Sequence, residues 1–203
     1  MRDISAEDGN TIVRAARLSI ESMFSKGSQA EKELEQMLLH KVFDIKAGVF
    51  VTLCHYHTNE LRGCIGFTEH SNEIRETIVD AARAAAFEDG RFVPVSKAEI
   101  GETIVEVNLL SEAKPLPQTP TGRKNSVKIG KDGLIVEYGI YRGLLLPSVA
   151  TENGMGKEKF LEAVCEKAGL NKNYWMQKNV NIRKFETQIF KEESPNGKVI
   201  EVK

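Results

Sequence analysis

The run Leu61-Arg62-Gly63-Cys64-Ile65-Gly66 constrains this chain more than any other stretch. It lies in a strand-like segment, where glycine is costly because it loses the most freedom on folding and packs no side chain. A purely structural strand would carry Val, Ile or Thr at both glycine positions. Two glycines around one thiol, with an arginine two residues before it, predict that something approaches the backbone closely here.

Upstream, Val49-Phe50-Val51-Thr52-Leu53 is rich in β-branched residues, and His57-Thr58-Asn59-Glu60 is polar and turn-prone. Residues 49–67 therefore read as a β-hairpin. The period of two places Leu61, Gly63, Ile65 and Phe67 on one face and Arg62, Cys64 and Gly66 on the other. Val49, Val51 and Leu53 form the matching apolar set of the first strand, opposite Phe50, Thr52, Cys54 and Tyr56. If both odd-numbered sets face the core, the loop has an odd number of residues. A three-residue loop, Thr58 to Glu60, puts Cys54 across from Cys64 and Tyr56 across from Arg62.

On that register Cys64 is the candidate reactive group and Arg62 its candidate activator, because a neighbouring cation favours the nucleophilic thiolate. The blander account makes Cys64 a small buried hydrophobe, the usual fate of a free cysteine. A site that binds without chemistry is the better reading of the two glycines. Zinc is the competing chemistry: Cys54, His55, His57, Cys64 and His70 are close in sequence. Their spacing is neither C-x₂-C nor H-x₃-H, and strand parity sends His55 and His57 to the face opposite Cys54 and Cys64. Hairpin-end histidines exposed to water account for them, and no metal site is assigned.

Elsewhere, Ser5 caps a first helix with Asp8 as its capping-box partner, and Ile12, Val13, Ala16, Ile20 and Met23 share a face, with Phe24 beside them. A second helical stretch runs from Glu31 to His40. Ser71 or Asn72 caps a helix bearing Ile74, Ile78, Ala81, Ala82 and Ala85, closed by Gly90 and Pro94. Thr103 to Leu110 is a strand, with Ile104 opposite in phase to Val105 and Val107. Pro115, Pro117 and Pro120 mark residues 113–125 as the connection between two lobes. A second hairpin follows, Leu134–Tyr138 returning through Gly139 to Leu144–Leu146. A helix from Lys157 to Ala168 ends at Gly169, and a last strand covers about Asn181 to Phe190. Strands and helices do not alternate strictly, so the fold class is α+β with mostly antiparallel sheet flanked by helices.

Charge excludes little and favours little. Lys and Arg number 28 against 29 Asp and Glu, a net charge of −1, so no overall field points to nucleic acid or anionic lipid. Arg123, Lys124, Lys128 and Lys131 form a local basic stretch, read as a solvated loop or as an affinity element for nucleic acid. Three scattered cysteines make no disulfide framework, the N-terminus lacks the apolar core of a signal peptide, and no apolar run is long enough to span a membrane. These features predict a cytoplasmic protein with no membrane partner. Gly156-Lys157 and Gly130-Lys131 lack the rest of a P-loop, and there is no HExxH, CxxC or GxSxG, so no cofactor is assigned. Trp175 with Tyr174 reads as packing rather than a nucleobase platform.

The hexapeptide and its surroundings resemble the AMMECR family, named from a human chromosomal region linked to Alport syndrome, midface hypoplasia and elliptocytosis. LRGCIG, the hallmark of that family, stands unaltered at Leu61–Gly66. Gly48–Leu53 is similar to the strand before the motif, and Asp89-Gly90-Arg91-Phe92-Val93-Pro94 to an Asp-x-Arg-Phe-x-Pro element. Gly130–Leu134 and Gly143–Pro147 match a later glycine-rich hairpin. The resemblance covers residues 5–195 as a single domain of two unequal lobes. Two departures are Ser148, where a glutamine is usual, and Gly154-Met155, where Trp-Asp often stands.

The resemblance implies a groove between the lobes with the motif near it, lined by Arg62, Gly63, Cys64, Gly66, Asp89 and Arg91. It implies no established activity. The expected function is a binding module taking a small molecule or protein in that groove. The alternative is a thiol-dependent enzyme, or a component of a radical S-adenosylmethionine- and Memo-associated modification system, with Cys64 as reactive group. In microbes such domains are associated with Memo-type and radical S-adenosylmethionine proteins, which makes those the implied partners.

Overall fold

The computed structural model describes residues 3–68, 70 and 72–202. Its helices are α1 (Ala6–Glu21), α2 (Gln29–Met37), α3 (Ile74–Phe87), α4 (Pro120–Ser126), α5 (Pro147–Glu152) and α6 (Lys157–Lys167). Its strands are β1 (Gly48–His55), β2 (Leu61–Phe67), β3 (Thr103–Leu110), β4 (Lys114–Pro115), β5 (Asp132–Tyr138), β6 (Tyr141–Leu145), β7 (Asn181–Glu192) and β8 (Val199–Val202). Strand β1 pairs with β2 and β3, β5 with β6 and β7, and β7 with β8, all antiparallel, and the α+β class expected from the sequence holds. The chain forms two compact units, Met1–Leu110 with Gln188–Lys203, and Ser111–Thr187. Strand β7 supplies residues 181–187 to the second unit and 188–192 to the first.

In the first unit β1 lies between β2 and β3, with β7 following β3 and β8 paired to β7. Val49, Val51 and Leu53 of β1 and Val105, Val107 and Leu109 of β3 are fully buried in one cluster with α1 and α3. The core therefore takes the odd-numbered face of both strands, as their alternation predicts. Arg17 of α1 is buried in this core. Its Nε and Nη2 each donate to Glu192 at 2.6 Å, and Nη2 also reaches Thr103 O at 2.6 Å. A buried cation persists only when paired and hydrogen-bonded to this extent.

Helix α1 begins as expected at Ser5, whose Oγ accepts from the Asp8 N–H at 3.1 Å. Asp8 replies to the Ser5 hydroxyl (2.9 Å) rather than to its backbone N–H. Ile12, Val13, Ala16 and Ile20 are buried, but the helix ends at Glu21, so Met23 leaves the apolar stripe and is 54% exposed. Likewise α2 ends before Leu39, which is 76% exposed. Helix α3 starts after Glu73, with no side-chain cap, so Asn72 does not cap it; Ser71 lies outside the described residues. Its apolar face, Ile74, Ile78, Ala81, Ala82 and Ala85, is buried as predicted.

The second unit pairs β5 with β6 and with β7, and β4 with β7, around a core that includes Leu134, Val136, Phe160, Leu161, Val164 and Trp175. Residues 114–115 and 120–126 of the proline-rich stretch carry β4 and α4. Gly139, at φ 59°, turns β5 into β6, and Gly169, at φ 76°, follows α6. In both, glycine takes a left-handed conformation that a Cβ would strain.

Candidate functional site

Strands β1 and β2 do form the expected hairpin, but in a different register. Thr52, not Cys54, stands opposite Cys64, and the connection has five residues, 56–60, instead of three. Its odd length keeps the predicted parity for most of the pair. Asn59, at φ 56°, makes the sharp part of the turn, and the Tyr56 N–H is drawn off to Glu102 O at 2.9 Å. Tyr56 is thus a loop residue rather than the partner of Arg62.

The ladder steps from Leu53↔Gly63 to Cys54↔Leu61, leaving Arg62 as an extra residue. This is a β-bulge, which bends the strand and re-aims a side chain. Parity fails beyond it: Leu61 pairs with Cys54 on the face away from the core and is 40% exposed, while Arg62 is buried. The expected grouping of Arg62 with Cys64 is therefore incorrect. Arg62 Nε donates to Glu99 Oε1, and its Nη2 donates to Glu99 Oε2 at 3.2 Å and to Val93 O at 2.7 Å. Its Nη1 is buried with no hydrogen-bond partner among the described residues.

Cys64 is held by a different pair. Its N–H donates to Asp89 Oδ2 at 2.9 Å, and its C=O accepts from Arg91 Nη2 at 3.3 Å. Arg91 is itself forked onto Asp89, Nε to Oδ1 at 2.9 Å and Nη2 to Oδ2 at 2.6 Å. Together the two side chains occupy the outward peptide groups of β2, as a neighbouring strand would. The fork and the Cys64 N–H hold the Asp89 carboxyl far below the usual carboxylate range, and Asp89 in turn raises Arg91. Glu99 is also lowered, chiefly by its bond from Arg62. Both guanidiniums lie over the Phe92 ring, 5.7 Å from its centroid for Arg62 and 5.4 Å for Arg91.

The thiol faces away from the core, where Cys64 is half-buried and its Sγ accepts from Thr52 Oγ1 at 3.3 Å. Thr52 in turn stands opposite Glu106 on β3. The row Cys64, Thr52, Glu106 thus crosses three adjacent strands on one face. Cys54 shares that face, and its thiol is pushed up mainly by burial.

Both glycines of the hexapeptide are explained by the protein's own packing. A Cβ on Gly63 would stand 2.1 Å from Ala85 O of α3, and one on Gly66 would stand 2.2 Å from the Phe50 ring. The close approach predicted from sequence is real, and what approaches is helix α3 and Phe50. The remaining sequence candidates disperse. His55 Nε2 lies 4.0 Å from Glu99, the His57 ring stacks at a tilt on Tyr56, and His70 Nδ1 lies 3.1 Å from Thr68 O. Among the described residues no group of three or more His, Cys, Asp or Glu side chains could hold a metal ion.

The basic stretch also dissolves as a patch. Arg123 is buried, donating to Pro117 O, Trp175 O, Gln177 O and Val180 O; Lys124 pairs with Glu158 and Lys131 with Glu186. Thr52, Phe92 and Glu99 join the site without being site candidates on sequence grounds. Glu99 had a legible signal: Ser96-x-x-Glu99 is a capping box, and Ser96 Oγ does accept from the Glu99 N–H at 3.2 Å. Among the described residues no helix is long and apolar enough to cross a membrane.

A family model described as AMMECR1 matches residues 13–190. Protein MJ0810 of Methanocaldococcus jannaschii is 42% identical, over 100% of this chain and 99% of the relative. A protein of Methanococcus aeolicus is 39% identical, over the full length of both. The crystal structure of uncharacterized protein PH0010 from Pyrococcus horikoshii is similar with a TM-score of 0.86 at 39% identity, covering 98% of each chain.

Proposed function

Because the chain belongs to the AMMECR1 family, we propose that it is a binding module whose ligand meets the Cys64 face of the first unit. The observation that carries this reading is the Asp89–Arg91 clamp on both peptide groups of Cys64. A main chain held from both sides presents its thiol in one position, and preorganisation of that kind lowers the cost of binding. Cys64 and the half-exposed Arg91 are the groups that touch the ligand. Asp89 and Arg62 position them, Gly63 lets α3 close behind the strand, and Gly66 leaves room for the Phe50 ring on the Cys64 face. The three cysteines are unbridged, in keeping with a reducing, cytoplasmic compartment.

The enzyme reading has weaker support, because Arg62, its intended activator, is committed to Glu99. The ligand is a small molecule or a protein segment. The association of such domains with Memo-type and radical S-adenosylmethionine proteins makes those the first protein partners to test. The test is protection of Cys64 from alkylation, mapped by peptide mass spectrometry with and without each purified partner. Protection that is lost in Arg91→Ala supports the module. An unchanged Cys64 rate with every partner, together with no bound mass in native spectra of the gently purified chain, sinks it. Alkylation at pH 7 more than about tenfold faster than a model thiol would favour the enzyme instead.

A further inference from the structure

The near-neutral total charge conceals a division. In the second unit thirteen Lys and Arg stand against eight Asp and Glu, a net charge of +5, while the first carries fifteen against twenty-one, −6. Several cations of the second unit are answered locally: Lys124 by Glu158, Lys131 by Glu186, Arg183 by Glu137 and Lys184 by Asp132. Among the described residues Lys167, Lys172 and Lys178 enter no ion pair. All three are exposed, at the end of α6 and along the 3-10 turn Lys172–Met176 and its exit.

The same corner gathers tyrosines. Tyr138 and Tyr141 are cross-strand partners at the end of the β5–β6 hairpin. The Tyr138 ring meets Tyr174 edge-on at 5.4 Å, and Tyr141 lies beside Gly169, just past α6. Tyr141 is 45% exposed and Ile140, at the hairpin tip, 91%. Trp175, the aromatic residue a sequence reader notices first, is buried in the core and takes no part.

We propose that this tyrosine corner binds single-stranded nucleic acid. Bases stack on Tyr141 and contact Ile140, while Lys167, Lys172 and Lys178 neutralise phosphates. A duplex keeps its base faces inside the helix and offers this platform nothing to stack on. The corner belongs to the second unit and Cys64 to the first, so the two sites are separable by mutation.

Fluorescence anisotropy of the full chain decides it, using labelled oligo-dT and oligo-U of about 20 nucleotides, a duplex of the same length, and phosphatidylserine vesicles. Both single strands are expected to bind at least about tenfold more tightly than the duplex. Raising the salt about fourfold should weaken binding roughly tenfold, the consequence of neutralising two or three phosphates. The double variant Lys172→Glu/Lys178→Glu should lose about tenfold or more in affinity, with an unchanged melting temperature because both residues are exposed. Tyr141→Ala should lose about tenfold and Tyr141→Phe should retain affinity. Cys64→Ser should bind as the parent does. Absence of binding at low salt, full affinity in the lysine double variant, a preference for duplex, or binding to vesicles alone would each overturn the proposal.

Discussion

Arg62 turns away from Cys64 and grips Glu99, Nε to Oε1 and Nη2 to Oε2, from a bulge in an edge strand. The arginine of the hallmark motif is therefore an anchor, tying β2 to the segment that follows α3. Removing it leaves Glu99 with only the Ser96 N–H, at 3.3 Å, and takes from the Val93 carbonyl its guanidinium donor. Arg62→Ala should cost about 2 kcal/mol, less than a fully buried pair because Glu99 is partly exposed. Urea denaturation with an unchanged m-value measures it. Arg62→Lys should recover little, since one ammonium cannot replace the fork. A loss below about 0.5 kcal/mol would show that the pair holds nothing together.

The same pairs set an acid limit. Asp89 and Glu99 both have folded-state values depressed by their arginines. A depressed carboxyl contributes stability that is fully present above its unfolded value, about 4, and is lost as pH falls through the folded value. Melting temperature should therefore decline below about pH 4.5, and Glu99→Gln should flatten part of that decline. Parallel curves for variant and parent would remove Glu99 from the account.

Gly63 is expected to be the least replaceable residue of the hexapeptide. Its missing Cβ makes room for the Ala85 carbonyl, a backbone atom within a helix that cannot swing aside. Gly63→Ala should cost about 2–3 kcal/mol. Gly101→Ala, where nothing lies within 4 Å, should change stability by less than about 1 kcal/mol. Equal effects in chemical denaturation would contradict the packing argument.

The three thiols should separate by reactivity. Cys165 is fully buried and its pKa is pushed up to about 11, mainly by burial. At pH 8 its thiolate fraction is over about a hundredfold below that of a free thiol, so it should resist iodoacetamide until the protein unfolds. Cys54, also raised by burial, should react more slowly than a model thiol. Peptide mapping after timed alkylation gives the order. Labelling of Cys165 in the folded chain would refute it.

What was legible in the sequence depended on regular repeats. The core faces of β1 and α3 followed from periods of two and of helical type, because Val49, Val51, Leu53 and the alanines of α3 each repeat without interruption. The hairpin itself was visible, but not its register, since the connection takes five residues where three were expected, and one extra residue at Arg62 breaks the parity next to the turn. No local signal marks that bulge. It is stabilised by Glu99, 37 residues further on. The Asp89–Arg91 clamp was equally hidden: the residues stood out, but their target, the main chain of Cys64, is a tertiary relation. Charge failed for another reason, since a total near zero says nothing about how it is divided.

The buried pair of Arg17 and Glu192 joins residues 175 positions apart, and the second unit lies between them as one uninterrupted segment. During synthesis residues 111–187 leave the ribosome before Glu192 exists to meet Arg17. The earlier part of the first unit thus waits with a cation destined for its interior and only the partly exposed Glu21, 3.6 Å away, as its counter-charge. The ends of the inserted segment are zipped meanwhile, Ser111 N–H to Glu186 O at 2.8 Å and Glu186 N–H to Ser111 Oγ at 2.9 Å. Residues 188–203 can therefore complete the first unit only after the whole of the second has been made.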